Sequence, residues 1–227
     1  MKSISFGAAA LLALSTSVAR ADSAPIPPAS SFDWTGAYVG LQAGHGWGNS
    51  TYDIAVNEAF FQYDPQGRFG GVFVGYTHQF DNGLAIGVEG EINVADIESG
   101  RTYISNWPTP TSEEFANSKV KWQSSLRLRL GHSLGRLLPY VTGGVAFAGY
   151  DHSLTWLSLR TQPFGDTYVG WTAGAGVEYA LTDNITARAE YRYADYGDRT
   201  YPFTAPFYEH TVDLSTQDVR FGVAYKF

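Results

Sequence analysis

"VRFGVAYKF" runs from Val219 to Phe227. Val219, Phe221, Val223, Tyr225 and Phe227 occupy one phase of it, and Arg220, Gly222, Ala224 and Lys226 the other. Such alternation marks a β-strand with two unlike faces. Chain ends are usually loose and polar, yet this one is an aromatic strand. It needs partners along both edges and two different environments, and both requirements send the reading back along the chain.

Seven earlier segments alternate in the same way. The first, 35–47, sets Ala37, Val39, Leu41 and Ala43 against Gly36, Tyr38, Gly40, Gln42 and Gly44. The second, 68–80, carries Val72, Val74, Tyr76 and Phe80 on its apolar phase. The third, 84–96, sets Leu84, Ile86, Val88, Ile92 and Val94 against Ala85, Gly87, Glu89, Glu91 and Asn93. The fourth starts near Lys119, with Val120, Trp122, Leu126, Leu128 and Leu130 opposed by Lys121, Gln123, Ser125, Arg127 and Arg129. The fifth, 137–150, has a less regular phase. The sixth, 168–181, alternates Val169, Trp171 and Val177 with Gly170, Gly174, Gly176 and Glu178. The seventh, 185–196, has Arg188, Glu190 and Arg192 on its polar phase.

Connections alternate too. Asp81-Asn82-Gly83, Ser133–Arg136 and Thr182-Asp183-Asn184 are short, and the first is a hairpin signal. Residues 49–67, 97–118, 151–167 and 197–213 form long ones. Tight turns on one side and long loops on the other predict an all-β fold, an eight-stranded antiparallel transmembrane up-and-down β-barrel. Closure sets the last strand beside the first and leaves no open edge.

A soluble ligand-carrying barrel has the same period turned inside out. Glycine on the polar phase decides against it, because small residues suit a crowded lumen and make a poor solubilising exterior. Aromatics near strand ends (Trp34, Trp47, Phe80, Tyr179, Tyr225, Phe227) read as girdles at the two membrane interfaces. A lipid-facing Phe227 also explains the aromatic chain end.

The remaining composition agrees. The 227 residues hold 25 Gly, 15% aromatics, one Met and no Cys, with a net charge of −7. The acidic balance argues against nucleic acid as a partner. Lys2, the apolar run 4–18 and Ala19-Arg20-Ala21 read as a signal peptide over 1–21. A Pro- and Ser-rich stretch, 22–33, reads as a flexible periplasmic lead, and 34–227 as the barrel domain. The localisation expected is the bacterial outer membrane, reached through the periplasm.

The stretches "FDWTGAYVGLQAGHGWG", "LPYVTGGVAFAGY", "AGAGVEYALTDNITARAEYRYADYGD" and the closing "VRFGVAYKF" resemble the small porin-family outer-membrane proteins of alphaproteobacteria, OmpA-like barrels of surface-antigen type. The resemblance spans nearly the whole chain after the signal peptide. It implies a surface-exposed envelope protein, with haem binding proposed for some members. It also implies that the terminal strand, with Tyr225 and Phe227, is read by the outer-membrane assembly machinery. With the sequence closing on the barrel's last strand, the peptidoglycan-binding module of larger OmpA-type proteins is not expected.

Charges on the inner phase should pair. Folding the third strand on the fourth with Asp96 opposite Val120 puts Glu89 across from Arg127. The turn at 182–184 puts Glu178 across from Arg188, and Glu190 facing Arg220 brings Arg192 to Asp218. With Arg129 these nine residues form a candidate lumen network. An eight-stranded barrel is narrow enough for side chains to fill, so the network reads as a plug. Its rival reading is the selectivity element of a small-solute, porin-like channel.

Chemistry is weakly signalled. His132-Ser133 and His152-Ser153 are adjacent, so in extended chain their side chains diverge. The His-x-Ser spacing of barrel lipid A deacylases is absent. No metal-ligand spacing occurs, and no cofactor, metal or catalytic residue is expected. Phe60, Phe61, Trp107, Trp156, Phe203 and Phe207 on the long loops are candidate contacts for a host surface or haem. Alternatively they pack as a cap or dip into lipopolysaccharide, which with outer-membrane lipid is the expected surrounding partner. The leading expectation is a non-enzymatic envelope barrel displaying its loops.

Overall fold

A computed structural model describes residues 32–54, 59–63, 65–98, 102–103, 115–156, 159–160, 164–201 and 210–227. Side chains are described for 32–48, 65–97, 120–149, 167–197 and 215–227. Eight long strands carry the fold: β1 Gly36–Ile54, β2 Gln66–Gln79, β3 Leu84–Glu98, β4 Phe115–His132, β5 Leu137–Trp156, β6 Phe164–Ala180, β7 Ile185–Tyr201 and β8 His210–Lys226. Each pairs antiparallel with its neighbours in sequence. Pairing of β8 with β1, from Tyr38 opposite Lys226 to Ile54 opposite His210, closes the ring. All backbone groups of a closed ladder are satisfied within the protein, which is what a lipid surrounding demands.

The three tight turns lie at one end. Gly83 adopts φ 82°, a left-handed conformation that a side chain disfavours, and its N–H donates to Phe80 O at 2.9 Å. At the third turn the Thr182 hydroxyl accepts from Ile185 N at 2.9 Å.

At the other end the strands run beyond the expected limits. β1 continues to Ile54 and β4 begins at Phe115, so parts of the stretches read as loops are ladder. A short strand, Ala59–Tyr63, folds back on residues 50–54 of β1. Polar residues such as Asn49, Ser50 and Thr51 hid this, because the extensions need not face lipid. One register also differs. Val120 lies opposite Ile97, not Asp96, because the ladder slips between Val94 and Ile97 and between Val120 and Trp122. A bulge at this point inserts one residue, so Val120 turns into the lumen and Lys121 outward, the reverse of the phases read from alternation.

Burial settles which face is outside. Val94, Leu41, Leu128 and Phe221 are 64–76% exposed, while Arg127, Arg192 and Arg220 are 0–1% exposed. In water that arrangement would be inverted; around a charged lumen it is a lipid belt. Aromatic pairs mark its two rims, Trp171–Tyr193 at 5.4 Å toward the loop end and Tyr225–Phe227 at 5.1 Å toward the turn end.

Inside, rings lie on glycines. Tyr38 is opposite Gly75, Phe73 opposite Gly40, Phe69 opposite Gly44 and Tyr140 opposite Gly176. At each of these glycines a Cβ would come within 2.7 Å of the facing ring. The glycine-rich inner phase is therefore the space that four lumenal rings occupy.

Candidate functional site

The lumen is built in layers along the barrel axis. At the turn end, Phe32 and Trp34 enter the mouth and pack with Ala85, Leu138 and Ala180. The two rings meet edge to face at 4.7 Å. Trp34 N donates to Gln79 Oε1 at 3.0 Å, and its indole Nε1 to Gly135 O at 3.2 Å. Thr35 N donates to Asp33 Oδ1 at 2.8 Å, and this bond holds the Asp33 carboxyl below its ordinary value. Trp34 is therefore no girdle residue. It is 4% exposed and acts as a stopper. Phe32 and Asp33, read as part of the lead, belong to the same packed entrance.

Above the stopper the lumen is charged. Five carboxylates (Glu89, Glu91, Glu178, Glu190, Asp218) and five guanidiniums (Arg127, Arg129, Arg188, Arg192, Arg220) are buried there, so the layer is neutral in sum. Glu91 is the hub. It accepts from Arg220 Nη1 at 2.6 Å, Arg192 Nη1 at 2.7 Å, Arg127 Nη2 at 3.2 Å and Gln42 Nε2 at 2.8 Å. Asp218 accepts from Arg192 Nε at 2.9 Å and Arg220 Nε at 2.7 Å. Glu190 takes Arg127 and, at 3.0 Å, the Tyr140 hydroxyl. Three rings support the cations, with Phe73 3.5 Å from Arg188, Tyr140 3.7 Å from Arg129 and Phe69 5.0 Å from Arg220.

The expected facing pairs occupy the positions read from alternation, and their contacts divide. Glu89 lies opposite Arg127 and bonds it at 2.6 Å, and Arg192 lies opposite Asp218 and bonds it. Glu178 lies opposite Arg188, but its carboxylate is held by Arg129 and the Thr186 hydroxyl. Arg188 reaches across the barrel to Glu89 instead. Glu190 lies opposite Arg220 at a loose 3.9 Å. Sequence reading missed Glu91, Gln42, Tyr38 and Tyr140 as network members. Inner-phase parity with Glu89 was the available signal for Glu91.

An apolar layer closes the loop end, with Phe69, Ile97, Val120, Tyr168 and Tyr196 among its members. Near the turn end, a cavity between Trp34, Tyr38, Arg129, Glu178 and Thr186 holds about 10 Å³, no more than one water needs.

Of the other candidates, Tyr225 and Phe227 face outward, and Phe227 N donates to Ala37 O at 2.9 Å. Phe60 and Phe61 fall on the short strand Ala59–Tyr63 and Trp156 ends β5, with their side chains outside the described residues. Trp107, Phe203 and Phe207 lie outside the described residues altogether. His45, His78 and His132 are exposed on the outer phase, and none joins the lumen network. Among the described residues no three of His, Cys, Asp and Glu are grouped to hold a metal ion.

Known proteins agree with this architecture. The 25 kDa outer-membrane immunogenic protein of Brucella abortus is 33% identical over 235 residues, covering 100% of this chain and 99% of its own. A 31 kDa outer-membrane immunogenic protein of Brucella melitensis is 35% identical, with 88% of this chain and 86% of that one covered. The 22 kDa outer membrane protein of Rhizobium leguminosarum is 32% identical, with 91% and 83% covered. Among solved structures, OprG of Pseudomonas aeruginosa shares the fold at TM-score 0.53 and 14% identity, with 86% of this chain and 97% of OprG covered. The family model of the outer membrane protein beta-barrel domain matches residues 6–227, and the chain is an outer-membrane β-barrel protein belonging to that family.

Proposed function

We propose that this protein is a sealed, non-enzymatic structural barrel of the outer membrane whose exposed work is done at the loop end. The observation that carries this reading is the lumen itself. Ten paired charges fill its mid-section between an apolar stopper and an apolar upper layer. An ion entering would have to displace a guanidinium from two or three carboxylates at once, in a medium where charge pairing is strong. A channel needs weaker, exchangeable contacts. The immunogenic relatives bear names that suit a surface-displayed role. Within this reading, Tyr225 and Phe227 serve assembly, through a terminal strand presented to the barrel-inserting machinery.

Liposome swelling tests the seal to small solutes. Vesicles carrying the refolded barrel, placed in an isotonic pentose solution, are expected to swell no faster than protein-free vesicles. Swelling that scales with protein content would establish the porin-like alternative instead.

A further inference from the structure

Among the residues whose side chains are described, the lysines and arginines fall in three places. Five arginines fill the lumen. Arg136, paired with Asp183 at 2.8 Å, and Lys226, 5.0 Å from the Phe32 ring, stand at the turn end. The remaining two, Arg68 and Lys121, are exposed on the outer phase of β2 and β4, flanking β3. Arg68 lies opposite His45 of β1 on one side and Asp96 of β3 on the other, and all three are exposed. The bulge that shifts the β3–β4 register presents Lys121 outward beside them.

Their height is set by the belt below. On β3 the outer phase holds no Lys, Arg, Asp or Glu from Leu84 to Val94 and then reaches Asp96; on β2 it holds none from Phe80 to Gly70 and then reaches Arg68. That rise, at about 3.3 Å per residue and a tilt near 40°, spans about 25 Å, the height of the lipid belt. The group therefore stands at the outer edge of the belt, on the side of the long loops. At the same end β5 to β7 present Phe147, Trp171, Tyr191 and Tyr193 outward, with no lysine or arginine on the outer phase among the residues whose side chains are described. Among the residues whose side chains are described, the exterior cations at this end are thus Arg68 and Lys121, on either side of β3.

We propose that His45, Arg68 and Lys121, with Asp96 between them, form an exterior site for a phosphorylated glycolipid of the outer leaflet. Arg68 and Lys121 stand two strand spacings apart, about 10 Å, so a phosphate between them is within reach of both side chains. Asp96 suits the sugar hydroxyls that accompany it. The acyl chains run down the belt past Val72, Ile92 and Val94. An open cationic surface holds a free anion weakly, but a headgroup anchored by its own acyl chains is kept at this height at high local concentration. The site depends on the outer-membrane seating and is independent of whether the lumen conducts.

The test uses the full folded chain in detergent micelles, titrated with purified diphosphorylated lipid A and, separately, with the same lipid A after dephosphorylation. The readout is the temperature at which the compact, gel-resolved form is lost. The diphosphorylated lipid is expected to raise that midpoint. In the double variant Arg68→Gln, Lys121→Gln the apparent affinity should fall about tenfold, as loss of charge-assisted bonds to phosphate implies. Arg136→Gln, at the opposite rim, should titrate like the wild type. Should the double variant fold poorly, each single substitution is expected to show part of the loss. Equal response of the double variant and the wild type overturns the proposal. So does equal stabilisation by the dephosphorylated lipid, stabilisation by inorganic phosphate alone, or no response at all.

Discussion

Glu91→Ala is expected to destabilise the folded barrel by about 3–5 kcal/mol, the cost of leaving buried charge without its partner. Glu91 touches three guanidiniums, so its removal leaves Arg127, Arg192 and Arg220 sharing Glu89, Glu190 and Asp218 with an uncompensated positive charge. Urea unfolding in micelles, followed by circular dichroism, measures the loss. Exposed pairs supply the contrast. Arg136–Asp183, with side chains 33% and 85% exposed, should cost no more than about 1 kcal/mol when broken. A second variant separates charge balance from packing. Arg220→Gln added to Glu91→Gln restores neutrality and should recover part of the loss, a coupling that independent sites would not show. Full additivity of the two substitutions would mean that the lumen charges do not act as one network.

Trp34→Ala is expected to cost a similar amount, about 3–5 kcal/mol, typical of deleting a large buried aromatic. Trp34 does more than pack. Its two hydrogen bonds tie the entering chain to Gln79 at the end of β2 and to the turn at Gly135, so the substitution unfastens Phe32 as well. The same unfolding assay applies, and it should be joined by proteolysis from the turn side. Cleavage near residue 32 should appear in the variant and be absent from the wild type. An unchanged unfolding midpoint would show that the stopper merely rests in the mouth.

The fold was legible because a membrane barrel imposes one rule on every strand. Leu84, Ile86 and Val88 against Ala85, Gly87 and Glu89 show that rule without ambiguity, and tight turns such as Asp81-Asn82-Gly83 fix where one strand gives way to the next. Beyond the belt the rule lapses. Residues 50–54 pair with both β8 and the short strand Ala59–Tyr63, yet nothing in their polarity alternates with a lipid face. Neighbouring-strand registers followed from turn lengths and parity, so Glu89 opposite Arg127 was within reach of sequence reasoning. Cross-lumen contacts were not. Arg188 on β7 bonds Glu89 on β3, four strands away in a ring of eight, and Arg220 on β8 bonds Glu91 on β3. Ladder parity says which face a residue occupies, whereas these contacts depend on the bore of the closed barrel. Trp34 misled for a related reason. An aromatic just before the first strand carries no phase, so its position at the rim left open whether it faced lipid or turned into the mouth.

Single-channel recording of the refolded barrel in a planar bilayer tests the sealed lumen most directly, with folding of each sample verified beforehand by its heat-modifiable mobility on a gel. The paired charges and the two apolar layers predict a silent membrane, with no current steps above those of the lipid alone. Reproducible steps whose ion selectivity changes on substituting Glu91 or Arg127 would contradict the account and make the same charges the lining of a pore.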